Sequence, residues 1–451
     1  MTTLKLRDLP HGCFEGVIPA VLATRSDDGL PNATWLSQVF LLGDRHIALS
    51  CQFFRKTRQN LATNPRSQLF VVAPHSLMQW RFDVRFVRSE SAGDTFEAMK
   101  SRISAIASIT RMESVFALQS ADVFEVDATT PVDVEASAPS SPPAGPNDGL
   151  QQLLRLTQLV SNCQDLRQLV DTGLGFLAKE LGYGRIGIYL LEADEDALYA
   201  LATYGFSSSG VGARVELGVG VIGACGRHSV PIRIADVSRE RLYGRAVQEQ
   251  EERVQRGAEL EIPLASVAGA RSLLAVPLLL QGKLFGVLAT ESTEPLAFDE
   301  RDTQLLSTAG QLLAQGIALY REEETEKAPD PAPPSISKPG TLQVRYYEAD
   351  DSVFVDGEYL IRGLPGKILW LLLSLREKEG RTAFLSRELR LHPLLKIPTV
   401  NDNLATRLLM LQRRLDDKAL PIRLRREERG RLHLDCDVAV ILETVQAQPP
   451  H

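Results

Sequence analysis

The chain has 451 residues, of which 44% are apolar, 24% charged and 6% aromatic. That is the profile of a globular protein too long for one hydrophobic core, and about three domains are expected at roughly 150 residues each. Lys and Arg total 50 against 57 Asp and Glu, a net charge of −7, which excludes a global basic field drawing the whole molecule to nucleic acid or anionic lipid. Any DNA contact has to come from a local patch. The start, Met1 to Asp8, lacks the apolar core of a signal peptide, and no stretch reaches the length of a bilayer span, so a cytoplasmic protein without a membrane partner is expected. The five cysteines (Cys13, Cys51, Cys163, Cys225, Cys436) are scattered and contain no Cys-x-x-Cys pair. They read as reduced thiols, and no metal site is expected.

Proline marks the boundaries. Residues 131–147 and 327–340 together hold 10 of the 25 prolines. Such segments favour extended backbone, have no apolar period and read as linkers. Three unlike blocks remain, 1–130, 148–326 and 341–446, with no internal repeat among them.

In the first block, residues 17–24 are β-branched and apolar, Asp27-Asp-Gly-Leu-Pro31 is turn chemistry, and Ala33 to Leu42 continues as a strand. These predict a hairpin. Further strands follow at His46–Ser50 and Gln68–Ala73, separated by a short helix over Arg55-Lys-Thr-Arg-Gln-Asn-Leu-Ala-Thr-Asn-Pro65. Short strands with few helices predict an antiparallel barrel.

This order, with Arg111–Phe116 and Ala121–Val126 after it, resembles the pyridoxamine 5′-phosphate oxidase-like FMN-binding split barrel. The resemblance implies FMN as cofactor, with its phosphate held by Arg55, Lys56 and Thr57, Asn60 next on that face, and Ser37 and Gln38 near the ring edge. Two cations and a hydroxyl at a helix start suit a phosphate. The alternative is an ordinary solvated helix face. The substrate-binding His and Arg pattern of the true oxidases is not recognisable between Arg111 and Val126, and no catalytic residue is assigned. Sensing through a flavin or other planar ligand, a different reductase activity, and a barrel that has lost its ligand all remain open.

In the middle block, Leu150, Leu153, Leu154, Leu156, Leu159 and Val160 predict one helix, and Leu305, Leu306, Leu312, Leu313 and Ile317 another with Asp299 as N-cap. Strands are predicted at 185–191, 197–202, 272–280 and 283–290, forming one antiparallel sheet covered by the terminal helices. The run Leu217–Gly226, then Pro231–Val237, Leu274-Ala-Val-Pro-Leu, Gly282–Leu288 and Phe298–Asp302 resembles a GAF domain. That implies a small-molecule ligand, unidentified, or dimerisation. Residues 239–270 form a charged insertion that reads equally as a lid or as solvated surface. Glycines 218, 220 and 223 fit a turn into a helix rather than a dinucleotide fingerprint. Cys225 and His228 read as a packed thiol and a surface imidazole, with haem ligation or thiol sensing as the sharper alternatives.

The third block concentrates positive charge: residues 361–434 contain 17 Lys and Arg and 8 Asp and Glu. A cation-rich module on an acidic chain points to a phosphate backbone. A hairpin around Asp356-Gly357 precedes a buried helix over 366–375, a second helix beginning near Phe384, and a third over 401–415. In the third, Leu404, Leu408, Leu411 and Leu415 form the apolar stripe, which predicts an exposed side carrying Asn403, Thr406, Arg407, Met410, Arg413 and Arg414. A basic hairpin follows over 422–434, with Arg425, Arg426 and Arg429. The order resembles the winged helix-turn-helix of response-regulator effector domains, which implies DNA as partner and Asn403, Thr406, Arg407, Arg413, Arg414, Arg425, Arg426 and Arg429 as contacts. A winged helix used for protein contact is the alternative.

The fold expected is therefore multidomain: an N-terminal antiparallel split β-barrel, a central α+β GAF domain and a C-terminal α+β winged helix-turn-helix. The function expected is a homodimeric one-component regulator sensing a small-molecule effector or redox state. The runner-up is an FMN-dependent oxidoreductase regulated by the other two modules.

Overall fold

The apolar runs pair into four sheets, one in the first block, one in the middle block and two in the third. The computed structural model describes residues 5–36, 38–51, 55–74, 76–110, 118–132, 149–192, 196–237, 264–266, 269–322, 341–395, 397, 404–426 and 430–446. Among these, no helix is long and apolar enough to cross a membrane.

The first block contains β1 (Ala20–Arg25), β2 (Pro31–Leu36), β3 (Val39–Leu41), β4 (His46–Cys51), α1 (Arg55–Thr63), β5 (Arg66–Val72), β6 (Gln79–Glu90), α2 (Asp94–Thr110) and β7 (Ser120–Val132). The strands form one sheet in the order β2-β1-β5-β6-β7-β4-β3, with antiparallel pairs throughout. The predicted β1–β2 hairpin is present. The single strand predicted over Ala33–Leu42 is instead two strands at opposite edges of the sheet. Leu36, Gln38 and Val39 are all buried at this break, where the sheet order sets β2 and β3 at its two ends. Register shifts at Asp83/Val84 and Phe86/Arg88 bend the long β6–β7 ladder around a core of Leu22, Leu36, Ile47, Leu69, Phe82 and Phe124.

The middle block contains α3 (Gly149–Ser161), α4 (Leu166–Lys179), β8 (Ile186–Glu192), β9 (Ala197–Tyr204), β10 (Arg214–Glu216), α5 (Gly220–His228), β11 (Ile232–Ile234), β12 (Ser272–Leu280), β13 (Lys283–Ser292) and α6 (Glu300–Glu322). Its antiparallel sheet runs β10-β9-β8-β13-β12-β11. One face is covered by α3, α4 and α6, through Leu156, Leu169, Leu174, Leu306, Leu313 and Ile317. Asp299 starts α6 as predicted: its Oδ1 accepts from the Asp302 N–H at 3.0 Å, and Asp302 Oδ2 accepts from the Asp299 N–H at 2.8 Å. The α3 stripe is only partly used. Leu156 is buried, whereas Leu150 is 80% exposed and Leu154 and Leu159 also face outward. The three glycines make the predicted turn into α5; a Cβ on Gly223 would lie 2.1 Å from the Glu216 carbonyl oxygen, so no other residue fits there.

The opposite face of this sheet is covered by α5 and by α2 of the first block. Ala105 and Ile106 of α2 share a core with Tyr189, Val221, Ala224 and Cys225, and the Gly220 N–H donates to Ser108 Oγ at 2.7 Å. The first two blocks are thereby joined through a helix that the sequence reading did not identify.

The third block contains β14 (Thr341–Tyr347), β15 (Ser352–Val355), β16 (Glu358–Ile361), α7 (Leu364–Glu379), β17 (Ala383–Leu385), α8 (Ser386–Leu391), α9 (Leu404–Asp417), β18 (Ile422–Arg426), β19 (Arg431–Cys436) and β20 (Ala439–Val445). One sheet runs β16-β15-β14-β20, with β14 and β20 parallel; the other runs β17-β19-β18. Asp356 and Gly357, both at positive φ, make the predicted two-residue turn between β15 and β16. The second helix begins at Ser386 rather than Phe384, because residues 383–385 pair with β19. The core is Leu-rich and includes Leu369, Leu372, Leu404, Leu408, Leu411 and Leu415.

Candidate functional site

Three places in the chain were predicted to carry chemistry. In the first block, α1 lies against β1 and β2. Thr57 and Asn60 do share a face, but it is the buried face, at 3% and 4% exposure. Asn32 Nδ2 donates to Thr57 Oγ1 at 3.0 Å, and Asn60 Nδ2 donates to Thr24 Oγ1 at 3.1 Å. The pair therefore pins the helix to the hairpin. Thr24 and Asn32 were missed; their signal was polar side chains on either side of the turn in an otherwise apolar hairpin. Lys56 is exposed. Arg58 donates to Ser120 Oγ at 2.7 Å. Arg55 begins the helix, but its side chain, like Ser37, lies outside the described residues.

Gln38 is 1% exposed, and neither its Oε1 nor its Nε2 has a hydrogen-bond partner among the described residues. A buried amide left unsatisfied costs about 1–3 kcal/mol. Such a group suits the polar edge of a planar ligand, which would satisfy both atoms. Toward FMN, Gln38 offers an unsatisfied amide, whereas Thr57 and Asn60 are buried and hydrogen-bonded to the hairpin.

In the middle block, Tyr189, Phe206, Val221, Ile222, Leu273 and Thr290 line a cavity of about 10 Å³, room for roughly one water. Tyr189 is buried, and desolvation raises its hydroxyl pKa. A drug-sized ligand needs about 300 Å³ or more, so the pocket is closed to one in this conformation. Cys225 is fully buried beside this pocket, and burial raises its thiol well above the ordinary value. That is the packed thiol and not the activated one. Alkylation of the folded protein with iodoacetamide is expected to modify the half-buried Cys163 and spare Cys225, as read by peptide mass spectrometry; fast labelling of Cys225 would restore thiol sensing. His228 has its pKa lowered by burial and by Lys100 nearby. Among the described residues, no cluster of three metal-ligating side chains occurs. The helical part of the 239–270 insertion, read as lid or surface, lies outside the described residues.

In the third block the predicted exposed side of α9 is buried, which corrects the sequence reading. Ala405 and Leu409 enter the core of the middle block, while Ala197 and Tyr199 of β9 join the core of the third. Arg407, 5% exposed, is ion-paired with Glu192 and lies over the Tyr199 ring at 5.6 Å. Burial draws its guanidinium down to about 10, which leaves it charged at neutral pH. Arg413 pairs with Asp171 at 2.6 Å, Arg167 of α4 with Asp416 at 3.0 Å, and Ser209 with Asp417. Thr406 and Met410 are buried, and Arg414 Nε donates to the Leu360 carbonyl at 2.9 Å. On the hairpin, Arg425 is exposed and paired with Asp435. Asn403, Arg429 and the Arg426 side chain lie outside the described residues. The period of the leucines was read correctly, but α9 has two apolar contacts, and the second is supplied by another block.

Residues 12–131 match the family Pyridoxamine 5′-phosphate oxidase, and residues 163–318 match the GAF domain family. Among solved structures, the GAF domain of an Acinetobacter phosphoenolpyruvate-protein phosphotransferase is 22% identical, with 38% of this chain and 94% of that one covered and a TM-score of 0.32. A free methionine-R-sulfoxide reductase from Neisseria meningitidis is 21% identical, covering 39% and 90%, with a TM-score of 0.31. An FMN-binding protein from Syntrophomonas wolfei subsp. wolfei is 21% identical, covering 28% and 88%, with a TM-score of 0.24. No curated protein matches the chain. The chain therefore carries a barrel-type domain of the pyridoxamine phosphate oxidase kind followed by a GAF domain.

Proposed function

We propose that this chain is a homodimeric sensor-regulator in which the barrel and GAF domains perceive a small molecule or redox state and govern a C-terminal winged helix-turn-helix that binds DNA. The observation that carries this reading is the docking of α9 on the GAF domain, with Arg407 and Arg413 held by Glu192 and Asp171. A cationic helix clamped by acidic groups is withheld from phosphate, and a sensor domain that does the clamping can release it. The geometry also supplies a coupling route. Tyr189 lines the closed GAF pocket, and Glu192 lies three residues on along the same strand, β8. Tyr199, under Arg407, pairs with Leu190 of that strand. Opening the pocket by displacing Tyr189 would shift β8 and with it the carboxylate that holds Arg407, so a ligand preferring the open pocket favours the released state. In the barrel, FMN would be held by Gln38 at its ring edge and by Arg55 and Lys56 at its phosphate, and when bound it would supply electron and hydride transfer.

The test is fluorescence anisotropy with a duplex from the regulator's own upstream region, at several salt concentrations. The full-length variant E192Q/D171N is expected to bind at least about tenfold more tightly than the unaltered chain, with affinity falling as salt rises. Adding R413A and R425A should flatten that salt slope. Absence of salt-dependent binding in both the unaltered chain and the release variant would overturn the reading.

A further inference from the structure

Helices α3 and α6 leave leucines open to water on one shared face. The two run parallel: a Cβ on Gly149 would lie 3.8 Å from Leu305 of α6, and one on Gly316 would lie 3.5 Å from Val160 of α3. On α3 the outward stripe is Leu150, Leu154, Thr157 and Ser161; on α6 it is Leu305, Thr308, Leu312, Gln315 and Leu319. Both alternate spacings of three and four residues, the 3.5-residue period of a helix that packs against another helix. Leu150 is 80% exposed, Leu154 57% and Leu319 60%. Neither stripe contains a charged side chain, so a like copy meets no repulsion.

The face is uneven along its length. Leu150 and Leu154 project from the N-terminal half of α3, whereas toward the C-terminal ends Thr157, Ser161, Cys163, Leu312, Gln315 and Leu319 line a groove of about 660 Å³. Gly316 lines it without a side chain to fill it. A two-fold axis crossing α3 brings the projecting end of each copy to the groove of the other, which makes the surface complementary to itself. A parallel pairing would set leucine on leucine and leave both grooves empty. Helices of 13 and 23 residues are about 20 and 35 Å long and together about 20 Å wide, so the face offers roughly 400–700 Å². That approaches the roughly 800 Å² per partner of a stable interface.

We infer that this face docks a second copy of the chain antiparallel, with Leu150 and Leu154 of each copy seated in the groove of the other. The inference deepens the homodimeric part of the proposed function and needs no DNA contact.

Sedimentation equilibrium of the full-length protein reads the dimer. L154E leaves α3 free to fold, because Leu154 is exposed, but it places a carboxylate in each groove and should raise the dissociation constant at least about 100-fold. L159E alters a leucine 42% exposed and half a turn round the helix from Leu150, and should leave the dimer unchanged. Oxidation of the variant L150C/S161C, followed by peptide mass spectrometry, reads the direction. The antiparallel pairing links position 150 of one copy to position 161, or to the native Cys163, of the other. Neither link can close within one chain, because at least eleven residues of helix hold the positions about 16 Å or more apart. Circular dichroism reports the fold of each variant. A monomeric unaltered chain would overturn the inference together with the homodimeric reading. A dimer that survives L154E, or is equally lost in L159E, would overturn the face alone. Links of 150 to 150, or a dimer without the 150-to-161 or 150-to-163 link, would overturn the antiparallel arrangement. DNA binding is judged separately, by the anisotropy test above.

Discussion

Replacing Glu192 by Ala is expected to weaken the docking of α9 by about 3–5 kcal/mol, the cost of leaving a buried charge without its partner. Arg407 is buried at the centre of that contact, ion-paired with Glu192 and lying over the Tyr199 ring. Its Nε is already without a partner among the described residues, so the guanidinium has little to fall back on. The change corresponds to a shift of roughly 10² to several thousand-fold toward the undocked state. Hydrogen exchange should show the backbone of α9 exchanging faster in E192A, and the radius of gyration should rise. The double variant E192L/R407M should behave oppositely, because replacing a buried ion pair by apolar groups of similar volume is often neutral or stabilising. It should hold α9 protected and, under the proposed function, keep the chain off DNA. Unchanged protection of α9 in E192A would show that Ala405 and Leu409 alone fix the contact.

The second large effect is expected at Glu15. This carboxylate accepts from arginines on two domains at once. Truncation to Ala leaves Arg102 and Arg233 facing one another across the gap. Arg233 retains Glu300 and Thr303, whereas Arg102 retains only the Glu15 carbonyl among its described hydrogen bonds. A loss of about 3–5 kcal/mol follows from breaking a buried pair, which for domains of this size lowers the melting temperature by roughly 6–20 °C. E15Q keeps an acceptor and should fall between the two. Scanning calorimetry reads both. A loss below about 1 kcal/mol would mean that water replaces the carboxylate.

What the sequence disclosed, and what it hid, follows from how many partners each element has. The β1–β2 hairpin, the β15–β16 turn at Asp356-Gly357 and the start of α6 at Asp299 are local events written in local residues. Helix α2 escaped because its apolar residues serve two masters: Phe96 and Met99 pack on the barrel, Ala105 and Ile106 on the GAF sheet. No single stripe results. The same division misled the reading of α9. Leu404, Leu408, Leu411 and Leu415 mark the face toward its own domain, and the remaining positions read as solvent-facing until Glu192 and Asp171 are brought up against them. In α1 the spacing of Thr57 and Asn60 was legible, but the side they face depends on Thr24 and Asn32. Gln38, which the resemblance sets near the ring edge, is buried with its amide unsatisfied among the described residues.

The parallel pairing of β14 with β20 sets an order of assembly. Thr341 to Tyr347 align with Ala439 to Val445, so on the ribosome one edge of the third block's opening strand, paired on its other side with β15, waits until about a hundred further residues have emerged. By then the strand bearing Glu192 has long been made, and the GAF sheet can serve as a template against which the newborn cationic helix is seated. Release of that helix by a signal would thus run the final step of the protein's own synthesis in reverse.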